Sequence, residues 1–262
     1  MKSFTIIAIF LFSCAILSAQ TTLQPRKLSN QSRGIIYNTE LAADVKMQTN
    51  GWSVGVNWGT LKTYYLTRFY YVDFGERKHL KELTFNPGVG SRQGSTYIYG
   101  KQNNLYVLRG GLGEKRYFSE KAAEKGVAVG VSYRIGPSLG LIKPYYLDIN
   151  INNDVLGNDR TRPIRYSPET AQEFLDEGRI NNNSGFLKGW GEVAPAIGGH
   201  AVGALHISWG AFEEYVRAVE AGVMVDFYFQ NIPIMVETSP DSNLNQPFFV
   251  NIFLNFQFGK RK

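Results

Sequence analysis

The chain is poor in cysteine and histidine. It has one cysteine, Cys14, and three histidines, His79, His200 and His206. Cys14 lies in the N-terminal apolar stretch, so the rest of the chain can form no disulfide, thiolate metal site or cysteine nucleophile. No phosphate-binding glycine loop, zinc spacing or dinucleotide fingerprint occurs, and no cofactor is expected. Beyond residue 17 no apolar run approaches the ~18 residues that a membrane-crossing helix needs. Thiolate chemistry, a disulfide scaffold and a helical membrane protein therefore fit poorly.

The N-terminus reads as an export signal. Lys2 gives a short positive start, Ile6 to Leu17 an apolar core, and Ser18-Ala19-Gln20 a small-residue cut after Ala19. Residues 1–19 are expected to be removed, leaving 20–33 as a periplasmic segment and 34–262 as the folded domain. A lipoprotein signal with Leu11-Phe12-Ser13-Cys14 as lipobox is a rival, weakened by bulky Phe12 and by the apolar run that continues past the cysteine. The formal charge is +6. For an exported chain that excess points to anionic lipid headgroups rather than nucleic acid.

What is abundant is aromatic and alternating. Aromatics are 14% of residues, and they suit membrane interfaces. In the stretch Gln246–Lys262, Phe248, Val250, Ile252, Leu254, Phe256 and Phe258 share one parity. Asn251, Asn255 and Gln257 share the other, with Phe249 and Phe253 as exceptions. In a strand this period of two gives one unbroken apolar face. It is long enough to cross a bilayer at a tilt, which takes roughly 9–11 residues. The pattern predicts the closing strand of a barrel whose outer face meets lipid.

Seven earlier segments alternate in the same way: Gly34–Lys46, Trp52–Gly59, Tyr64–Phe74, Tyr97–Gly113, Val127 to about Leu147, about Glu192–Trp209, and Tyr215–Phe229. Asn50-Gly51 is a hairpin signal. The expected fold is all-β, an antiparallel up-and-down transmembrane barrel of eight strands. A hairpin hidden in the fifth strand or in Asp148–Gly191 would raise the count by two. The links Thr60–Thr63, Glu114–Gly126 and Gly210–Glu214 are short. Those at Gly75–Thr96, Asp148–Gly191 and Gln230–Gln246 are long, the asymmetry of periplasmic turns and external loops. Ser167, Pro168 and Gly178 mark one short loop helix. A soluble β-sandwich is the rival fold.

Several stretches carry a family resemblance: Ser18-Ala19-Gln20, Arg77-Lys78-His79-Leu80-Lys81-Glu82, Tyr99-Gly100-Lys101-Gln102-Asn103-Asn104, Leu139 to Leu147, Ile232-Pro233-Ile234-Met235, and the ending Phe256-Gln257-Phe258-Gly259-Lys260. The chain resembles an uncharacterised group of small outer-membrane β-barrel proteins of the Bacteroidota type. The resemblance implies a Gram-negative outer membrane and this architecture. It implies no activity.

The inward parity predicts a polar lumen network of Glu40, Asp44, Asp73, Arg109, Arg134, Glu220 and Asp226. Paired charges would plug the barrel; a proton or ion path is the alternative. His206, Ser208 and Glu220 share a face on neighbouring strands, the triad types that activate a serine. Their spacing is similar to that of small-barrel lipid A deacylases, but Trp209 stands where that family has Asn, and the three residues are predicted to face the lumen. Asp148, Asn150, Asn152, Asp154 and Asp159 have calcium-loop spacing without the loop's glycine and terminal glutamate, so no metal is assigned. Arg77, Lys78 and Lys81, beside His79, are candidates for lipopolysaccharide phosphates. Lys260, Arg261 and Lys262 read as a soluble tail. Expected partners are outer-membrane lipids, lipopolysaccharide and other envelope proteins. The expected role is structural or interactive, through the external loops, including service as an accessory subunit. A narrow channel and a lipid A hydrolase are the alternatives.

Overall fold

The computed structural model describes residues 37–63, 65–86, 96–118, 127–151, 161–209, 214–237 and 244–262. The signal at 1–19 and the segment 20–33 lie outside the described residues. In chain order the elements are β1 (Thr39–Gln48), β2 (Gly51–Thr63), β3 (Leu66–Arg77), β4 (Thr84–Phe85), β5 (Tyr97–Ile98), β6 (Asn103–Tyr117), β7 (Val127–Pro144) and β8 (Tyr146–Asn150). They continue with β9 (Thr161–Arg165), α1 (Ala171–Phe174), β10 (Ile180–Asn183), a 3-10 turn at Trp190–Glu192, β11 (Ala194–Trp209), β12 (Tyr215–Tyr228) and β13 (Phe248–Arg261).

Eight of these strands close an antiparallel barrel, in the cyclic order β1, β2, β3, β6, β7, β11, β12, β13. Each pairs with its neighbour in sequence among the barrel strands, and β13 returns to β1 from Glu40 against Arg261 to Gln48 against Phe253. Closure leaves no strand edge without a partner, the condition for a sheet in hydrocarbon. The facing assignment holds strand by strand. Leu41, Val45 and Met47 are exposed on β1 while Glu40, Asp44 and Lys46 are buried. On β13, Ile252 is 67% exposed while Asn251, Asn255 and Gln257 are sealed inside. Phe249 and Phe253, the exceptions on the polar parity, also point inward. Phe253 packs on Val202, Ala204 and Met224, and Phe249 meets Tyr228 edge-on.

The exposed belt runs around the whole barrel through Val56, Val72, Leu112, Ile135, Leu205, Val223 and Leu254. Aromatics mark both rims: Trp52, Phe227 and Phe248 at the loop-rich end, Trp58, Tyr70, Trp209, Tyr215 and Phe258 toward the other. A continuous apolar belt between aromatic rings is a surface built for hydrocarbon solvent.

Strand limits differ from expectation where the chain leaves the membrane. The fourth predicted strand splits at Gly100, whose φ of 66° breaks extension; β5 pairs with β4 outside the barrel, and β6 runs on past Gly113 to Tyr117. The fifth ends at Pro144, and Tyr146–Asn150 joins a separate sheet with β9 and β10. A hairpin does lie hidden in the long excursion, but outside the barrel, so the count of eight stands. The short helix forms at Ala171–Phe174, preceded by a Ser167–Thr170 side-chain contact of 2.9 Å.

These loop elements build a cap. Tyr97, Leu147, Ile149, Ile164, Phe174, Ile180 and Val236 form its buried core. Beneath it Ile232, Ile234 and Met235 pack on Leu105, Val107, Ile142, Ala196 and Tyr228 of the barrel, an apolar stopper at the mouth.

The belt predicts a mutational asymmetry. Ile252→Arg, near the middle of the belt, should lower folding stability in lipid bilayers by about 2–4 kcal/mol, whereas Ile252→Leu should be nearly neutral. Equal stabilities in a bilayer refolding titration would mean that this face meets water.

Candidate functional site

Below the stopper the lumen is filled by charges in three linked groups. Nearest the termini, Glu40 accepts from Lys115 at 2.7 Å and from Arg261 Nε at 2.9 Å, and Lys115 also donates to Gln257 at 3.0 Å. In the middle, Glu220 accepts from Arg134 at 2.5 Å and from Asn255 at 2.9 Å, and its other oxygen lies 2.9 Å from His206 Nδ1. Asp44 accepts from Asn57 at 2.7 Å and lies 3.8 Å from Arg134. Toward the mouth, Asp226 is held by Arg109 through Nε at 2.7 Å and Nη2 at 3.0 Å, and by Arg77. Asp73 takes Lys46 at 2.5 Å and Arg109 Nη1 at 3.2 Å. Phe69 joins the lower groups, with Lys115 and Arg134 over its ring at 5.3 and 5.4 Å. Gly113 makes room for it, since a Cβ there would lie 2.4 Å from the ring.

All seven predicted network residues, Glu40, Asp44, Asp73, Arg109, Arg134, Glu220 and Asp226, are buried in this lumen. Four further cations complete it: Lys46, Arg77, Lys115 and Arg261. Two of these correct the sequence reading. Arg77 is not an external headgroup ligand; it is 1% exposed and paired with Asp226. Arg261 is not part of a soluble tail; it is buried against Glu40. Both lie where the barrel wall outruns the lipid, so their outward neighbours are polar and the alternation fades while the inward parity persists. Lys78 and Lys81 are exposed at the loop-rich end.

The His206, Ser208 and Glu220 constellation comes together only in part. His206 is pinned between Glu220 and the Tyr117 hydroxyl, which lies 3.1 Å from Nε2. Ser208 Oγ is buried with no hydrogen-bond partner. The histidine nitrogen that would serve as base therefore engages Tyr117 and not the serine, and all three groups lie inside the barrel wall. Of the calcium-loop residues, Asp148 accepts from Ser184 and Asn150 continues β8; Asn152, Asp154 and Asp159 lie outside the described residues. Among the described residues no acidic or histidine cluster could hold a metal.

The cap has its own polar pins. Tyr145 Oη accepts from Ile98 N–H at 3.1 Å, and burial raises the pKa of its phenol. Burial likewise depresses the pKa of His79, whose Nδ1 accepts from the Lys81 N–H at 3.1 Å. Lys101, buried under the cap, pairs with Glu82 at 2.9 Å.

Breaking a buried pair costs more than the pair is worth, because the abandoned charge stays desolvated, by about 3–5 kcal/mol. Arg134→Met should lower the unfolding midpoint on heat-modifiability gels, and Arg134→Met with Glu220→Gln should recover part of the loss. A single variant as stable as the parent would show that Arg134 and Glu220 do not hold the lumen together.

No protein-family model matches the chain, and no curated protein matches it. Among solved structures it is similar to Neisserial surface protein A, at 8% identity over 86% of this chain and 95% of that one, with a TM-score of 0.36. A major outer membrane protein from Thermus thermophilus gives 12% identity, 86% and 99% coverage and a TM-score of 0.37. Ail of Yersinia pestis gives 6%, 86%, 95% and 0.32. These similarities carry no argument about activity; the fold described above rests on the strand pairing of this chain.

Proposed function

We propose that the protein is an integral outer-membrane β-barrel with a side-chain-filled lumen, exported by residues 1–19 and oriented with its loop-rich end outside the cell. Its role is structural or interactive, exerted through the cap, including as an accessory subunit of an envelope assembly. The belt and its aromatic rims support the membrane location. The lumen charges support a sealed interior, since an eight-stranded barrel is just wide enough for side chains to fill.

One observation carries the interaction role. The cap has a buried core, yet the loop-rich end displays bare apolar tips: Leu187 is 84% exposed and Leu80 75%. Ordered loops that present apolar side chains to water are built for a partner. The same tips would serve neither a channel nor a lumenal hydrolase.

Purification from native outer membranes in mild detergent tests this reading. Stoichiometric envelope proteins should copurify with the parent protein and be lost with Leu187→Glu and Leu80→Glu. A barrel that copurifies with no protein, or that is recovered from the periplasm without detergent, would contradict it.

A further inference from the structure

On the outer wall at the loop-rich end, just above exposed Val72 and Leu108, lies a pocket of about 270 Å³. Its wall is formed by the last outward residues of three paired strands, Glu76 of β3, Tyr106 and Asn104 of β6 and Lys143 of β7. The loop carrying Phe186 and Lys188 covers it. Lys78, Lys101, Lys143 and Lys188 line it against one lining carboxylate, Glu76, and Lys101 is already spent on Glu82.

Lys143 is the anomaly. It is 2% exposed, yet its ammonium donates only to the Phe186 carbonyl. The rings of Phe186 and Trp190 lie 4.6 and 5.2 Å from it. It forms no ion pair with a carboxylate among the described residues. Glu76 on the pocket wall acts on it through space but stands beyond ion-pair distance, so two donors of a buried ammonium are left for a nearer anion. Phe186 and Tyr146 give the pocket its aromatic wall beside the cations, and Trp190, stacked on lining Tyr106 at 5.5 Å, stands close enough to report on it. Lys188, on the rim, lies over Tyr146 at 5.7 Å.

We propose that this pocket binds a phosphorylated sugar ring, its phosphate against Lys143, Lys188 and Lys78 and its ring against Phe186 and Tyr146. The volume of about 270 Å³ falls just below the ~300–1,000 Å³ of small-molecule pockets, so it suits one ring and its phosphate rather than an oligosaccharide. Its height just above the belt favours the phosphorylated headgroup of an outer-leaflet glycolipid over a free sugar phosphate. That choice of source rests on the outward orientation proposed above; the binding chemistry does not.

The test uses the full mature protein in detergent. Glucosamine 1-phosphate, glucosamine and inorganic phosphate are titrated by tryptophan fluorescence, with Trp190→Phe locating the signal. Deep-rough lipopolysaccharide micelles and their dephosphorylated form follow. Phosphorylated probes should bind, and Lys143→Met and Lys188→Gln should each weaken them about tenfold or more, with Lys62→Ala, exposed at the opposite end of the barrel, unchanged. Lys188 is exposed, so its variant serves even if Lys143→Met disturbs the loop. Binding of lipopolysaccharide assigns the lipid source; binding of glucosamine 1-phosphate alone assigns a free sugar phosphate. Inorganic phosphate binding as tightly as glucosamine 1-phosphate would overturn the saccharide assignment. Absence of binding by every phosphorylated probe, or affinities unchanged in both lysine variants, would overturn the site. None of these readouts depends on whether envelope proteins copurify.

Discussion

Closure of the ring by β1 against β13 is the constraint from which the rest follows. In hydrocarbon an unpaired strand edge would leave a row of N–H and C=O groups without partners, each costing several kcal/mol. Pairing from Glu40 with Arg261 to Gln48 with Phe253 removes that edge. It also fixes an interior of eight-strand width, into which alternate residues of every strand must point. Outside, those strands can be uniformly apolar. Inside, whatever they carry must fit and be satisfied.

The interior solves this with charge rather than hydrocarbon. Five carboxylates, Glu40, Asp44, Asp73, Glu220 and Asp226, meet six cations, Lys46, Arg77, Arg109, Lys115, Arg134 and Arg261. Every charged group has an ionic partner on another strand, although Asp44 Oδ1, Arg77 Nη1 and Arg134 Nε and Nη1 make no hydrogen bond, and the network ties opposite walls: β1 to β6 through Glu40 and Lys115, and β6 to β12 through Arg109 and Asp226. Within the bore hydrocarbon clusters at Phe253 with Val202, Ala204 and Met224, and it closes the mouth, where Ile232 and Ile234 descend from the cap. The cap is therefore anchored in the barrel. Its exposed tips and its lysine pocket are held on a rigid base, as a binding surface requires.

Much of this was legible in the sequence. Lipid outside and polar groups inside give a period of two strong enough to place the inward face of seven barrel strands, including Glu220 and Asp226, without any contact known; on β6, where alternation is less clean, it places only Arg109. What faded was the ends. Lys46 already shared parity with Asp44, but Arg77, Lys115 and Arg261 lie beyond the apolar belt, where outward residues turn polar and alternation no longer shows. Carrying the inward parity onward from Asp73, Gly113 and Gln257 would have reached all three. The cap was less legible, because its strands have the same β-forming composition as the barrel's, and only Gly100 and Pro144 separate one from the other. The lysine pocket was not legible at all. Lys143 sits on the outward parity of β7 and becomes buried only because a loop more than forty residues on folds across it.

Single-channel recording of the purified parent protein in planar bilayers bears most directly on the sealed lumen. With three ionic groups and an apolar stopper across the bore, insertion should add no steady ohmic conductance. A stable conductance that scales with salt concentration would contradict the account, since ions could then pass where Arg109, Arg134 and Lys115 are said to close the way.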